Sequence, residues 1–151
     1  MSKAMLVSKE EIARLIPHTG AMCLLDGVEE WDATHIRCVS GRHRDPANPM
    51  RVAGQLPALC GVEFAAQAMA VHGGLAGAVG SRPKSGYLAA LRDVTCLRDR
   101  MDDMDGDLVI DAEQVMGNAD QVIYRFTVAV GDTGVLRGRA TVILAVEGAN
   151  L

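Results

Sequence analysis

A carboxyl group within an apolar segment is the clearest chemical feature of this sequence. Between residues 59 and 79 nearly every residue is Ala, Gly, Val, Leu, Met, Phe or Cys, and the polar exceptions are Glu63, Gln67 and His72. We expect Glu63 to be buried in the second turn of a helix. Burial favours the protonated form of a carboxyl, which could then act as a general acid near neutral pH.

The beginning of the same helix offers further groups. Pro57 at the first position would favour a helix, and the backbone amides from Ala58 to Gly61 would point out of it. Amides of this kind stabilise a carbonyl oxygen that gains negative charge. Gln67 lies one turn after Glu63 on the same face, where it could orient the carboxyl or donate a hydrogen bond to a substrate.

Two histidines are candidates for a general base. His18 lies in a turn near the start of the chain, and His43 lies in a long polar loop before the apolar helix. His35 is in a predicted strand, and His72 is about half a turn away from the Glu63 face, so we expect both to be structural. The sequence leaves the choice between His18 and His43 open.

An α+β chain positions these side chains, because its strands and helices segregate along the sequence. In order along the chain, we predict a short helix at residues 8–15 and a hairpin formed by residues 22–31 and 35–40. A loop at residues 41–56 and the apolar helix at residues 57–80 follow. Four strands complete the chain, at residues 86–98, 108–116, 121–130 and 135–146. Alternating apolar residues and intervening turns predict an antiparallel meander. A curved sheet around one helix leaves open edges, which are normally paired, so we expect at least a dimer.

The composition of the chain argues against several classes of function. The 151 residues fit one domain, 1–151, and a net charge of −4 argues against nucleic-acid binding. The apolar helix is rich in Ala and Gly and contains Glu63, so we expect no membrane span. The four cysteines lack a C-x-x-C pair, which argues against a zinc site. With no signal peptide evident, we predict a cytoplasmic protein with reduced thiols.

Charged segments suggest how a partner could bind. Two arginine clusters could attract a phosphopantetheine arm or an acidic carrier protein, or could simply be solvated loop charges; they are Arg42, Arg44 and Arg51 with His43, and Arg92, Arg98 and Arg100. The acidic segment 98–107 lacks the calcium-loop pattern, and we expect it to be an exposed turn.

Two stretches resemble one enzyme family. Residues 15–28, Leu-Ile-Pro-His-Thr-Gly-Ala-Met-Cys-Leu-Leu-Asp-Gly-Val, resemble the opening of the hot-dog-fold 3-hydroxyacyl-acyl-carrier-protein dehydratases. Residues 56–68 resemble that family's Pro-Gly-x-x-x-x-Glu-x-x-Ala-Gln helix start, with Glu63, Ala66 and Gln67 in register with Pro57. With Asn-Pro at 48–49, the chain looks closer still to the dehydratase-like proteins of aryl-polyene gene clusters.

The resemblance implies a hot-dog fold and a dimer whose sheets join. It implies a site at the dimer interface, where a histidine of one protomer removes the proton α to the thioester carbonyl. The glutamate of the other protomer, here Glu63, helps the hydroxyl leave as water, and the helix-start amides polarise the carbonyl. It implies no metal or redox cofactor, and an acyl group carried on the phosphopantetheine of acyl carrier protein or of CoA.

The chain departs from the family pattern at the histidine. The family's catalytic histidine opens a His-Phe-Pro-Gly motif, and that position, eight residues before Pro57, is Pro49 here. The glycine that follows the family's proline is Ala58. We therefore expect that His18 or His43 replaces the base, or that the chain is a non-catalytic, acyl-binding subunit of a heterodimer with an intact dehydratase.

These observations predict dehydration of a 3-hydroxyacyl thioester in fatty-acid or polyene synthesis. A hot-dog acyl thioesterase, in which Glu63 activates water, is the enzymatic alternative. The open edges favour a homodimer, although a diverged partner chain would cover them equally well.

Overall fold

The computed structural model describes residues 5–16, 20–77 and 84–146. In this part of the chain, seven strands form one antiparallel sheet and two α-helices accompany it. The elements are β1 (Val7–Ser8), α1 (Lys9–Leu15), β2 (Gly27–Trp31), β3 (His35–Ser40), α2 (Gly61–Gly77), β4 (Lys84–Cys96), β5 (Leu108–Gly117), β6 (Gln121–Val130) and β7 (Thr133–Val146). The predicted α+β class, a curved antiparallel sheet with one long central helix, is confirmed.

The strand order is β1-β2-β3-β5-β6-β7-β4, and every neighbouring pair is antiparallel. The predicted meander holds for β5, β6 and β7 but is wrong for β4, which pairs with β7 at the far edge. A 17-residue helix is about 26 Å long at 1.5 Å per residue, and strands are about 4.8 Å apart. Because α2 packs across β3, β5, β6 and β4, it carries the chain from one side of the sheet to the other.

Alternating side chains on β5 and β6 form the inner face of the sheet. Their buried residues are Leu108, Ile110, Ala112, Val122, Tyr124, Phe126 and Val128. α2 buries Phe64, Ala65, Ala68, Met69 and Val71 against this face. Gly61 provides the closest approach, since a side chain there would collide with Leu136 of β7. The other small residues of α2 do not all serve this purpose, because Gly73 is exposed and Gly74 faces Leu15 of α1.

Local signals account for α1 and for the loop after β3. The Ser8 hydroxyl accepts a 3.2 Å hydrogen bond from the Glu11 amide, and the Glu11 carboxylate accepts one of 3.3 Å from the Ser8 amide. This reciprocal capping box begins α1 at the start of the predicted short helix, residues 8–15. Residues 41–56 form the predicted loop, with one 3₁₀ turn at Arg42–Arg44. Within the described ranges, no helix combines the length and apolarity that a membrane crossing needs.

Candidate active site

The start of α2 differs from the prediction. A 3₁₀ turn spans Ala58–Cys60, and the α-helix begins at Gly61 rather than at Pro57. The Pro57 carbonyl accepts a 3.0 Å hydrogen bond from the Cys60 amide, so proline begins the tighter turn instead. Glu63 consequently lies in the first turn of the α-helix and not in the second.

The backbone amides at this end are already used. The Ala58 amide donates to the Asp99 carbonyl at 2.9 Å, and the Gly61 amide donates back to the carbonyls of Ala58 and Leu59. Our expectation of free amides at Ala58 and Gly61 is therefore wrong for this structure. There are two reasons: the Asp99 carbonyl accepts the hydrogen bond of the Ala58 amide, and the 3₁₀ turn uses the Gly61 amide. A substrate-binding role for Pro57, Ala58 and Gly61 stays a prediction.

The segment 99–104 holds this turn in place. The Asp102 carboxylate accepts a 2.7 Å hydrogen bond from the Leu56 amide, and the Met101 amide donates to the Leu56 carbonyl at 3.0 Å. The Arg100 guanidinium, hydrogen-bonded to Asp102, holds the pKa of that carboxyl well below its usual range. Met101 is fully buried and Met104 nearly so. The predicted exposed turn is thus wrong for this part, and the two methionines among aspartates are the signal that was overlooked.

Glu63 is exposed, which corrects the prediction of a buried carboxyl. It makes no hydrogen bond or ion pair with another residue that the structure describes. One face of α2 is left uncovered by the sheet, and Glu63 lies on it. We call this face the open stripe; at helical spacing it comprises Leu59, Glu63, Ala66, Ala70 and Gly73, each exposed or partly exposed. Glu63 is the only carboxyl group among these five residues.

Gln67 is buried and has a defined structural role. Its carbonyl oxygen accepts a 2.9 Å hydrogen bond from the Leu24 amide, and its amide group donates to the Met22 carbonyl at 2.7 Å. Gln67 therefore ties the segment before β2 to α2, one turn beyond Glu63. Both ends of its side chain are engaged, while its role in substrate binding stays a prediction.

His43 is completely buried. Its Nε2 donates to the Met104 carbonyl at 3.1 Å, and its Nδ1 is buried with no partner among the described residues. Burial lowers the pKa of His43 below its ordinary value. A buried neutral imidazole is chemically a base, but in this structure no hydrogen bond or ion pair connects it with Glu63.

His18 lies outside the described residues, together with Pro17 and Thr19, so its role as the base stays a prediction. The segment that follows is described: Gly20–Met22 forms a 3₁₀ turn, and Gln67 holds the Met22 carbonyl. The chain that follows His18 is therefore fixed against the N-terminal half of α2, the half that carries Glu63.

The arginines of the predicted basic clusters are largely neutralised by local acids. Ion pairs join Arg42 with Asp45, Arg44 with Asp107, Arg98 with Asp103, and Arg100 with Asp102. Arg51 donates to the carbonyls of Gly54 and His43 instead. These loop arginines stabilise the loops that carry them, and only Arg92 of the two clusters has no such partner among the described residues.

Other polar groups of the sheet are satisfied as well. On the outer face, Asp111 accepts hydrogen bonds of 2.9 Å from both His35 and Arg37. On the inner face, His72 is paired with Tyr124 and with the Asp32 carbonyl, which agrees with the structural role expected for it. Within the described ranges, no three His, Cys, Asp or Glu side chains are grouped so that they could hold a metal ion.

Comparisons with known proteins agree on the fold. A subunit of a dehydratase heterocomplex from Xenorhabdus doucetiae, named ApeI:P, superposes with a TM-score of 0.77 at 22% identity, over 90% of this chain and 91% of that one. A thioesterase from Haemophilus influenzae gives 0.64 at 15% identity, over 98% and 96%. A hypothetical thioesterase with coenzyme A from Streptococcus pneumoniae gives 0.61 at 11% identity, over 81% and 87%.

These structures confirm the predicted hot-dog fold. Among curated proteins, no sequence matches the chain. The family comparison is more specific, because the model described as ApeP-like, ApeP dehydratase, matches residues 10–150, nearly the whole chain. The resemblance carried by residues 15–28 and 56–68 is thereby confirmed, and this chain belongs to the ApeP-like dehydratase family.

Proposed function

We propose that this chain supplies the acid, Glu63, for eliminating water from a 3-hydroxyacyl thioester, at a site that a second hot-dog subunit completes. The acyl group would be carried on the phosphopantetheine of an acyl carrier protein, in polyene or fatty-acid synthesis. The observation that carries the proposal is the open stripe of α2, where the Glu63 carboxylate, which has no ion pair with a residue that the structure describes, lies among small apolar residues.

In the single chain, water reaches the Glu63 carboxyl group. Covering the open stripe with a partner would remove that water and favour the protonated form, because desolvation disfavours the charge. The prediction of a buried acid would then hold for the assembly although it is wrong for the single chain. Apolar Ala66 and Ala70 beside Glu63 would form one wall of a channel for the acyl chain.

A second surface, next to the helix, supports a partner. β4 pairs with β7 along one edge only, since it is the last strand of the sheet. Leu88 and Leu91 on this strand and Leu97 just beyond it are between 41% and 49% exposed. A strand edge that displays leucines is normally covered, because it would otherwise promote aggregation. α2 packs beside β4, so one partner could cover both the edge and the open stripe.

In the proposed reaction a base takes the proton from C2 of the acyl chain. The hydroxyl at C3 leaves with the proton of Glu63 as water, and the electron pair of the C2–H bond becomes the C2=C3 double bond. The base would be a histidine of the partner, because His43 is buried and the family's motif histidine is replaced by Pro49. A heteromer with an intact dehydratase subunit is therefore favoured over a homodimer. The name of the Xenorhabdus structure, a dehydratase heterocomplex, is consistent with this arrangement.

The test uses intact-mass spectrometry of a 3-hydroxyacyl carrier protein. The substrate is incubated with this chain alone and with this chain plus a hot-dog dehydratase subunit that retains the His-Phe-Pro-Gly motif. We expect loss of one water only with both subunits present. Glu63→Gln should slow that loss by about 100-fold or more, which is typical for removal of a general acid. Glu10→Gln, at an exposed carboxyl of α1, is the matched control and should have no effect.

The other outcomes separate the alternatives. Loss of water by the chain alone, abolished by His18→Ala, would make His18 the base and the heteromer unnecessary. Release of the free acid would instead show a thioesterase. Full activity of the Glu63→Gln heteromer would leave this chain as a non-catalytic, acyl-binding subunit.

A further inference from the structure

Four arginines lie together on the outer face of the sheet, apart from the arginines of the loops. Arg125 of β6, Arg139 of β7 and Arg92 of β4 lie directly opposite one another on three adjacent strands. Arg137 lies on the same face, two residues from Arg139, and all four side chains are exposed. We call this set the arginine row.

The arginine row has almost no acidic compensation. Arg92, Arg137 and Arg139 make no ion pair with any residue in the described ranges, and Arg125 has only a 3.9 Å contact with exposed Glu113. Like charges directly opposite on neighbouring strands destabilise a sheet. The row therefore costs stability in the isolated chain, in a protein whose net charge is −4.

From this we propose that the arginine row binds an acidic helix of the carrier protein that presents the acyl thioester. The inference rests on the proposed function and names the surface that its carrier would use. Neighbouring strands are about 4.8 Å apart, and one helical turn rises about 5.4 Å. A helix lying across β6, β7 and β4 can therefore place carboxylates at positions i, i+4 and i+7 opposite three successive arginines.

The position of the row relative to Glu63 supports the same partner. Leu136 precedes Arg137 on β7 and points to the opposite face, where it packs against Gly61, two residues before Glu63. The row and the start of α2 thus lie on the two sides of the same part of the sheet. A carrier bound at the row, which extends to the edge strand β4, would lie across the sheet from the start of α2.

A second copy of this chain fits the row less well. The acidic residues on the same outer face include Asp111, which is hydrogen-bonded to His35 and Arg37, Glu30, which is paired with Arg37, and Glu113, which faces Arg125. These carboxylates are already compensated within their own chain, so a copy packed face to face would offer the row few uncompensated charges.

The experiment measures binding rather than turnover. The dissociation constant of a holo acyl carrier protein is determined by NMR titration for the complete assembly. The unaltered assembly is compared with one in which this chain carries the double variant Arg125→Gln/Arg139→Gln. We expect binding to weaken by about tenfold, since each exposed charge pair contributes up to about 1 kcal/mol. We also expect a smaller dependence on salt than in the unaltered protein. The matched control, Arg44→Gln/Arg98→Gln, removes the same charge from paired arginines and should change the constant little.

The inference would be overturned if carrier binding weakened equally in both double variants, or if it did not weaken in the arginine-row variant. An arginine-dependent self-association seen by sedimentation would overturn it too. Binding of the unaltered assembly to anionic phosphatidylglycerol vesicles that is lost with the row would also overturn it, in favour of a lipid surface. Turnover of a 3-hydroxyacyl-pantetheine, which has no carrier protein, by the unaltered assembly tests the proposed reaction independently.

Discussion

The buried and the exposed regions of α2 differ in how their polar residues are bonded. Gln67 and His72 are buried, and each has hydrogen-bond partners on two sides. Glu63, one turn before Gln67, is exposed and has none among the described residues. The hydrogen-bonded side chains hold the fold together, whereas the exposed carboxyl is the acid of the proposed reaction.

The largest stability effect is expected from Gln67→Met, a substitution of similar volume. It would leave the buried Leu24 amide and the Met22 carbonyl without partners. The expected loss in the free energy of unfolding is about 2–4 kcal/mol, because each unsatisfied buried group costs about 1–3 kcal/mol. Urea denaturation measures it. Gln121→Met, on an exposed residue of β6, is the control, and equal losses for both variants would contradict a structural role for Gln67.

A slightly smaller effect is expected from His72→Leu. The Tyr124 hydroxyl, 2.7 Å from Nδ1, and the Asp32 carbonyl, 2.9 Å from Nε2, would both lose a partner. We expect a loss of about 2–3 kcal/mol for His72→Leu and about 1 kcal/mol for Tyr124→Phe. Because the two residues share a bond, the double variant should lose less than the sum. Strict additivity in urea denaturation would show that the bond contributes nothing.

The pH dependence of stability tests the role of the buried histidines. Burial lowers the pKa of His72 and of His43 from their ordinary value of 6.5. The unfolded chain therefore binds more protons as the pH falls below about 6.5, and the free energy of unfolding decreases in that range. Urea denaturation at pH 7, 6 and 5 should show this decrease, and His72→Leu should reduce its slope. An unchanged slope would mean that His72 does not titrate with unfolding.

The smallest stability effect is expected from Glu63→Gln. A carboxylate in the first turn interacts favourably with the helix dipole, so we expect a loss of about 0.5 kcal/mol in the isolated chain. The same variant should have the largest effect on elimination of water by the assembly. A loss of stability as large as that of Gln67→Met would assign Glu63 to the fold and remove the contrast between the exposed carboxyl and the buried polar residues of α2.

Features that depend on neighbours in sequence could be predicted. The capping box of Ser8 and Glu11 and the alternation in β6 are local patterns, and the structure reproduces both. The position of β4 in the sheet could not be predicted from local patterns, because its pairing with β7 depends on the path of α2 over the sheet. The 3₁₀ turn at Ala58–Cys60 was missed; its first amide, that of Ala58, is hydrogen-bonded to the Asp99 carbonyl, which is distant in sequence.

The exposure of Glu63 was missed for another reason. An apolar sequence shows that a helix face will be covered, but it does not say whether its own sheet or a second chain covers it. The same holds for the arginines. Sequence proximity grouped those at 42–51 and 92–100, whereas the strand register aligned Arg92, Arg139 and Arg125.

The pairing of β4 with β7 has a consequence for synthesis. β5, β6 and β7 can form consecutive hairpins as they leave the ribosome, whereas β4 is made before them and must wait for the last strand of the sheet. Non-local pairing of this kind is slow to form, and the exposed apolar surface meanwhile favours misassembly. A truncation that removes β7 would therefore release β4 and uncover α2 together, so the synthesis of β7 would determine when the nascent chain can accept the proposed partner.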